Sequence, residues 1–348
     1  VIENGGSGKM NKRYGRQTVR IDDVSIASEA AIVGEKEGNG PLSEYFDIIL
    51  DDNQWNEKTW EKTESKMQRE AVKLAIKKGG FSPENIDRAF SGDLLNQCIG
   101  AGFGMRDSEI PFYGIYGACS TMIEGISLAA MSIDGGYADA AAAVTSSHFC
   151  TAERQYRTPL PYGGQRTPTA QWTVTGAASA VLKRGAAVGD IAVTSLTAGK
   201  IVDKGVKDAN NMGGAMAPAA YDTLSAHFKE TGLSPRDYDL IVTGDLGKVG
   251  SEILTELLAE DGIDISANYM DCGCVIYDIE RQDVHAGGSG CGCIGTVLCG
   301  YILKLMRSGR LNRVLAVGTG ALLSPTSSLQ GESVPGIAHA AAFEMIKA

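Results

Sequence analysis

The chain has 348 residues, with 32 basic and 42 acidic side chains and a formal net charge of −10. That acidity excludes a nucleic-acid binder, whose phosphate contacts need a basic surface, and argues against direct docking on an anionic membrane. Hydrophobic residues at 43% and charged residues at 21% are ordinary for a globular protein, and the length fits two fused domains or one duplicated domain.

Taken in chain order, residues 1–15 form a polar, glycine-rich tail with the character of neither a signal peptide nor a membrane span. Met10 is a candidate start, with the residues before it as leader. Lys58 to Lys78 has helical spacing of Met67, Ala71, Leu74 and Ala75. Residues 82–94, SPENIDRAFSGDL, read as a turn, a short strand and a loop lip at Asp93. An apolar strand, Ile110 to Tyr116, then runs into Gly117-Ala118-Cys119-Ser120-Thr121 and an apolar helix, Met122 to Ile133. A thiol at a helix N-terminus sits where the dipole favours thiolate and where backbone N–H groups bind carboxylate, so Cys119 is a candidate nucleophile or ligand-binding group. A small buried residue at a tight junction reads equally well. Residues 134–146 end a helix and build a small-residue strand leading to Ser146 and His148.

The second half repeats the first. Residues 234–246, SPRDYDLIVTGDL, match 82–94 at a constant shift of 152 residues, Ser82 to Ser234, which pairs Asp93 with Asp245. Residues 307–319 match 134–146 at a shift of 173, so the second half carries an insertion, which includes Asp283 to Gly290. Ala217 to Glu230 reads as a helix, and Ile294 to Leu305 as a second apolar one. Alternating helices and buried strands in two copies predict an α/β fold with five layers, αβαβα, in halves 16–185 and 186–348 that share central helices.

The strand–GACS–helix element, the duplication and the Gly287–Gly292 turn resemble the thiolase and ketoacyl synthase superfamily. Longer strings are similar to the stage V sporulation AD family within it: GDLLNQ at 92–97, VTSSH at 144–148, TAERQYR at 151–157, AMAPAA at 215–220 and GGSGCGC at 287–293. That resemblance implies a thiolase-like fold and a homodimer that pairs sheets edge to edge. It also implies a protein that binds dipicolinic acid (pyridine-2,6-dicarboxylate), free or as its calcium chelate. Such a protein works with membrane proteins of the same operon to load the acid into the developing spore, held at the inner membrane through those partners.

A condensing enzyme of this superfamily needs histidine, or histidine and asparagine, facing its cysteine. The matching loop, Thr243-Gly244-Asp245, and the turn Gly287 to Ser289 carry neither. Of the four histidines, His227, His285 and His339 fall away from the motif, and His148 stands at the pocket or at a dimer interface. The expectation is a binding protein with no catalytic residues; the alternative is an active acyl-transferring enzyme with Cys119 as nucleophile.

A flat ring with two carboxylates needs donors at both ends. Cys119, Ser120 and Thr121 suit one carboxylate. Arg154 and Arg157 suit the other and Tyr156 the ring, although in thiolase-like folds this segment more often builds the dimer interface, where arginine and Glu153 pair. Ser146, His148 and Ser289 complete the candidate lining. Asp93 and Asp245 either contact calcium or cap the helices that follow, and Asp271 is open in the same way. Cys272/Cys274 and Cys291/Cys293 are spaced too closely for a zinc knuckle, and no glycine pattern suits a nucleotide, so neither a metal nor a nucleotide cofactor is expected.

Overall fold

The repeat in the sequence is a repeat of strand order in space. A computed structural model describes residues 12–156 and 166–347; Arg157 lies outside them. The first half contributes β1 (Val24–Val33), β2 (Arg88–Gly92), β3 (Phe112–Gly114), β4 (Ala140–Ser147) and β5 (Gly176–Arg184). The second contributes β6 (Ile191–Thr197), β7 (Leu240–Thr243), β8 (Tyr269–Asp271), β9 (Arg313–Ala321) and β10 (Gly336–Met345). Their lateral order is β3-β2-β4-β5-β1 followed by β6-β10-β9-β7-β8, the same order in each half about a central seam. In both halves the fifth strand runs antiparallel to its two neighbours, and the other pairs are parallel. The seam itself is short: β1 and β6 pair only through Ser25 with Ala192 and Ile26 with Ile191.

Local chemistry explains the copies. Ser82 and Ser234 each open a one-turn helix with proline at its first position, a place where the missing N–H costs nothing. Each makes a capping box, the Ser82 N–H donating to Asn85 Oδ1 at 3.0 Å and the Ser234 N–H to Asp237 Oδ2 at 2.7 Å. The chain leaves each box directly into β2 or β7.

Helix α1 (Trp60–Lys78) starts at a Thr59 cap and buries Met67, Ala71, Val72 and Ala75 against β1, β4 and β5. Helix α2 (Ile99–Met105) packs on α1. Helix α3 (Thr121–Asp134) buries Met122, Ile123, Ile126 and Ile133, each worth about 1.5–3 kcal/mol of transfer free energy. It touches β2 and β4 of its own half and β9 and β10 of the other, so it forms part of a shared middle layer. Helix α4 (Phe149–Tyr156) follows β4. On the far side, α5 (Met212–Thr231) and α6 (Gly247–Glu260) cover the second sheet. Helix α7 (Cys291–Val297) runs through a π-helical turn, Leu298–Ile302, into α8 (Leu303–Arg307), completing the middle layer. The layers are therefore α1/α2, first sheet, α3 with α7 and α8, second sheet, and α5/α6: the five-layered thiolase-like arrangement.

Two boundaries differ from the sequence reading. Strand β3 is shorter than Ile110 to Tyr116, because the chain leaves the sheet at Ile115 to make the turn at Cys119. Helix α5 begins five residues before Ala217, because Asn211 caps it by accepting from the Gly214 N–H at 3.1 Å. Among the described residues, no helix is long and apolar enough to cross a membrane.

Candidate functional site

Cys119 sits on a bent turn between β3 and α3. Ala118 is held at φ +49, a left-handed conformation unusual for a residue with a side chain. The turn is braced from below: the Ser120 hydroxyl donates to the Gly117 carbonyl at 2.7 Å, and the Thr121 hydroxyl donates to the Ala118 carbonyl at 2.6 Å while accepting from the Gly117 N–H. The second half presses on it as well. A Cβ added at Gly320 of β9 would lie 2.5 Å from the Gly117 oxygen, so only glycine lets β9 pass this closely. Ser120 and Thr121 are fully buried and spend their hydroxyls on this bracing.

The thiol faces a cavity of ≈ 300 Å³. Tyr116, Tyr156, Leu94 and Ala152 line it from the first half, and Asn210, Met212, Ser289 and Leu323 from the second. Glu153 and Thr173 also reach it. Tyr156 Oη donates to the Leu94 carbonyl at 2.5 Å and lies 3.4 Å from Tyr116 Oη, so the two rings make one wall. Among the described lining residues there is no histidine, lysine or arginine.

Asp245 stands behind the thiol. Its carboxyl is fully buried and accepts from Thr319 Oγ1 at 2.7 Å and from the Gly290 N–H at 2.9 Å. Its charge bears on the Cys119 thiol. Burial lifts the Asp245 carboxyl to about 7, while the hydrogen bonds from Cys119, Thr319 and Gly290 pull the other way. Burial and then the Asp245 charge push the Cys119 thiol well above its ordinary range. The helix N-terminus, expected from sequence to favour thiolate, is outweighed.

The two repeat-related acids have diverged. Asp93 caps the chain into α2, accepting from the Leu95 N–H at 2.7 Å and the Ala101 N–H at 2.6 Å. In the second half the same task falls to Asp271, which accepts from the Leu246 and Gly247 N–H groups at 2.9 and 3.0 Å and from Thr243 Oγ1 at 2.6 Å. Asp245 is thereby free to turn toward Cys119.

The other sequence candidates scatter. Cys119, Tyr156 and Ser289 line the cavity, with Asp245 immediately behind. Arg154 does not: on α4 it points the other way, pairs with Glu61 and lies over the Trp60 ring at 5.6 Å. Ser146 is buried among Glu64 and Gln68, donating to Glu64 Oε1 at 3.0 Å. His148 is buried beneath α4, its Nε2 3.0 Å from the Asn53 carbonyl and its Nδ1 accepting from the Cys150 N–H at 3.2 Å. Burial lowers His148 to about 4, so its ring is neutral. Cys291 and Cys293 donate to the Ser146 and Gly244 carbonyls. Tyr116, Asn210 and Met212 were not anticipated. Tyr116 had a signal in its place directly before the Cys119 turn, and Asn210 and Met212 flank the cap of α5.

Three comparisons bear on this geometry. The chain matches the family described as Stage V sporulation protein AD over residues 15–344. It is 46% identical over 334 residues to stage V sporulation protein AD of Bacillus subtilis (strain 168), spanning 96% of this chain and 98% of that one. Among solved structures it resembles a variant of Xanthomonas campestris OleA, at TM-score 0.61 and 17% identity over 95% of this chain and 100% of that one. It also resembles 3-oxoacyl-(acyl carrier protein) synthase III, FabH, of Xanthomonas oryzae pv. oryzae, at TM-score 0.59 and 17% identity over 94% and 100%. At such identity these structures speak for the fold alone.

Proposed function

The chain belongs to the stage V sporulation protein AD family, and on that premise we propose that it binds dipicolinic acid in the Cys119 cavity without catalysing a reaction. The observation that carries this reading is the partner of the thiol. A condensing enzyme sets an imidazole there, whose acid–base work is worth roughly 10²–10⁴-fold in rate; here the thiol meets the Asp245 carboxyl.

The cavity supports the ligand. At ≈ 300 Å³ it is at the small end for ligand sites and suits one flat ring better than a long acyl chain. The tyrosine wall suits a ring face, and Asn210, Ser289 and the thiol offer hydrogen bonds. With Glu153 in the lining and Asp245 behind it, a bare dianion is disfavoured, so calcium enters with the ligand as its chelate.

Family membership supports the remaining role. The protein takes part in loading dipicolinate into the developing spore, held at the inner membrane by membrane proteins of the same operon. It acts as a homodimer: β3 is the end strand of the sheet, its three residues are exposed, and Phe103 of α2 is half exposed beside it.

Titration calorimetry tests the binding. Purified protein is titrated with dipicolinate, with and without calcium, and with isophthalate, which lacks the ring nitrogen. Saturable binding weakened by Cys119→Ala supports the reading. Absence of binding together with acylation of Cys119 by an acyl-coenzyme A overturns it in favour of a condensing enzyme.

A further inference from the structure

The insertion of the second half, which includes Asp283 to Gly290, folds across onto the first half and ends at the cavity. Its residues Gly288–Ser289 run parallel to Trp172–Thr173, with Gly288 opposite Trp172 and Ser289 opposite Thr173. The Trp172 N–H donates to the Gly287 carbonyl and the Val174 N–H to the Ser289 carbonyl, both at 2.8 Å. Opposite residues of a ladder send their side chains to the same face. Ser289 and Thr173 both line the cavity, so their hydroxyls stand side by side there. Two neighbouring hydroxyls can donate to the two oxygens of one carboxylate.

Both strands of this ladder are tied to one oxygen atom. Glu37, in the helical turn Glu35–Gly38, is buried, and its Oε1 accepts from the Thr175 N–H at 2.9 Å and from the Tyr277 hydroxyl. Thr175 lies two residues beyond Thr173. Tyr277 is buried beneath the other strand: a Cβ added at Gly288 would lie 3.2 Å from Tyr277 Cε2 and 3.0 Å from Ile276 Cγ2, so this strand rests directly on the ring. Lys36 repeats the tie. Gln282 Nε2 donates to the Lys36 carbonyl at 2.7 Å, and Lys36 Nζ donates to the Gln282 carbonyl. The second oxygen of Glu37, Oε2, is buried and has no hydrogen-bond partner among the described residues. What Glu37 contributes by hydrogen bonding therefore passes through Oε1.

We infer that Glu37 is a positioning residue: through Tyr277 and Thr175 it sets the spacing of the Thr173 and Ser289 strands, and so the separation of the two hydroxyls that meet a ligand carboxylate. Glu37 and Tyr277 stand outside the described cavity lining and act on it only through this ladder. The inference deepens the proposed binding role of the same cavity and rests on it for its meaning, but the state of the ladder can be read with no ligand present.

Tyr277→Phe removes a donor and keeps the ring, Glu37→Leu removes the acceptor, and Glu37→Gln keeps an acceptor oxygen as the rescue. Hydrogen–deuterium exchange with mass spectrometry, in the full chain without ligand, follows peptides carrying Trp172 and Val174, with peptides of β2 as the control for global unfolding. The ladder amides are expected to exchange about tenfold faster or more in Tyr277→Phe and Glu37→Leu, and within about threefold of wild type in Glu37→Gln, with β2 unchanged. Titration calorimetry then reads the site: the first two variants are expected to bind dipicolinate about tenfold more weakly, and Glu37→Gln nearly as wild type does. Unchanged ladder exchange in Tyr277→Phe overturns the inference, and this variant decides alone should Glu37→Leu fail to fold. Equal acceleration in β2 overturns it too, as a general loss of stability. So does a Glu37→Gln that behaves like Glu37→Leu, or wild-type affinity in a variant whose ladder has loosened. Failure of dipicolinate to bind the wild type would sink the functional reading and leave the exchange measurement to decide this one.

Discussion

Glu64 of α1 and Asp93 at the end of β2 lie close enough inside the first half to repel each other, and among the described residues neither takes part in a salt bridge. Burial raises both carboxyls, and the charge of Asp93 raises Glu64 further. Asp245, at about 7, is a third buried acid of the same kind. For each, the folded form binds its proton more tightly than the unfolded chain does. The stability they contribute is complete at acid pH and is lost as pH climbs through their folded values. Between pH 6.5 and pH 8 the melting temperature is therefore expected to fall, by calorimetric or fluorescence scan. Glu64→Gln should flatten that slope, by roughly 1.4 kcal/mol for each tenfold of excess proton affinity that the substitution removes. A melting temperature independent of pH over this range would count against the pair.

Two buried histidines contribute the opposite sign below pH 6.5. His148 and His227 are both lowered to about 4 by burial. His227 bridges Thr197 Oγ1 at 2.9 Å and Tyr238 Oη at 2.6 Å. The unfolded chain binds protons at both sites where the folded one does not, so these two sites take stability away as pH falls from 6.5 towards 4, against the gain from the raised carboxyls. His148→Gln should lessen that acid loss and lower stability at pH 7 by about 1–3 kcal/mol, since a buried acceptor and donor are left imperfectly matched. Denaturant titration at pH 5 and pH 7 separates the two effects.

Arg307 at the end of α8 forks onto Glu29 of β1, Nη2 to Oε2 at 2.7 Å and Nε to Oε1 at 3.1 Å. Glu29 is 4% exposed, so removing its partner strands a buried charge. Arg307→Met is expected to cost about 3–5 kcal/mol. Adding Glu29→Gln to that variant should recover a large part of the loss, as read by chemical denaturation in a double-mutant cycle. Additive losses would show that the two side chains do not act as a pair.

Charge placed on the exposed edge strand should prevent self-pairing. Tyr113 is 51% exposed on β3 and packs its ring at 5.3 Å on Phe90. Phe112→Glu with Tyr113→Lys is expected to shift the protein from dimer to monomer in sedimentation velocity with little change in far-ultraviolet circular dichroism. An unchanged sedimentation coefficient would place the interface elsewhere, or remove it.

Much of the fold was legible because duplication writes the same local chemistry twice. Ser-Pro with an acid or amide at the third position, a short apolar strand and Gly-Asp mark the same element in both halves, and two unusually apolar helices could belong only in a shared layer. The Cys119 turn was legible for the same local reason. What sequence did not settle is the direction in which side chains leave their elements. Arg154 shares a helix with Tyr156, yet Glu61 and Trp60 of α1 hold it on the far face. Ser146 and His148 follow the right strand but turn toward α1 and the Asn53 loop. Asp93 and Asp245 look equivalent in sequence, and only Asp271, a residue with no partner in the repeat, makes them different.

The narrow seam between β1 and β6 bears on how the molecule can be divided. Two residue pairs join β1 to β6, three more join Thr18–Arg20 to β6, and two join Trp172–Thr173 to Gly288–Ser289, while α3 lies against both sheets. The connection between β5 and β6 is an exposed turn in which Gly185 and Gly189 take positive φ and Val188 is 66% exposed. A cut there would leave only these short ladders between the fragments, yet each fragment would carry a bare apolar helix face that only the other can cover. Expressed apart, the pieces should aggregate; expressed together, they should reassemble into one particle, because the middle helices rather than the strands hold the halves to each other.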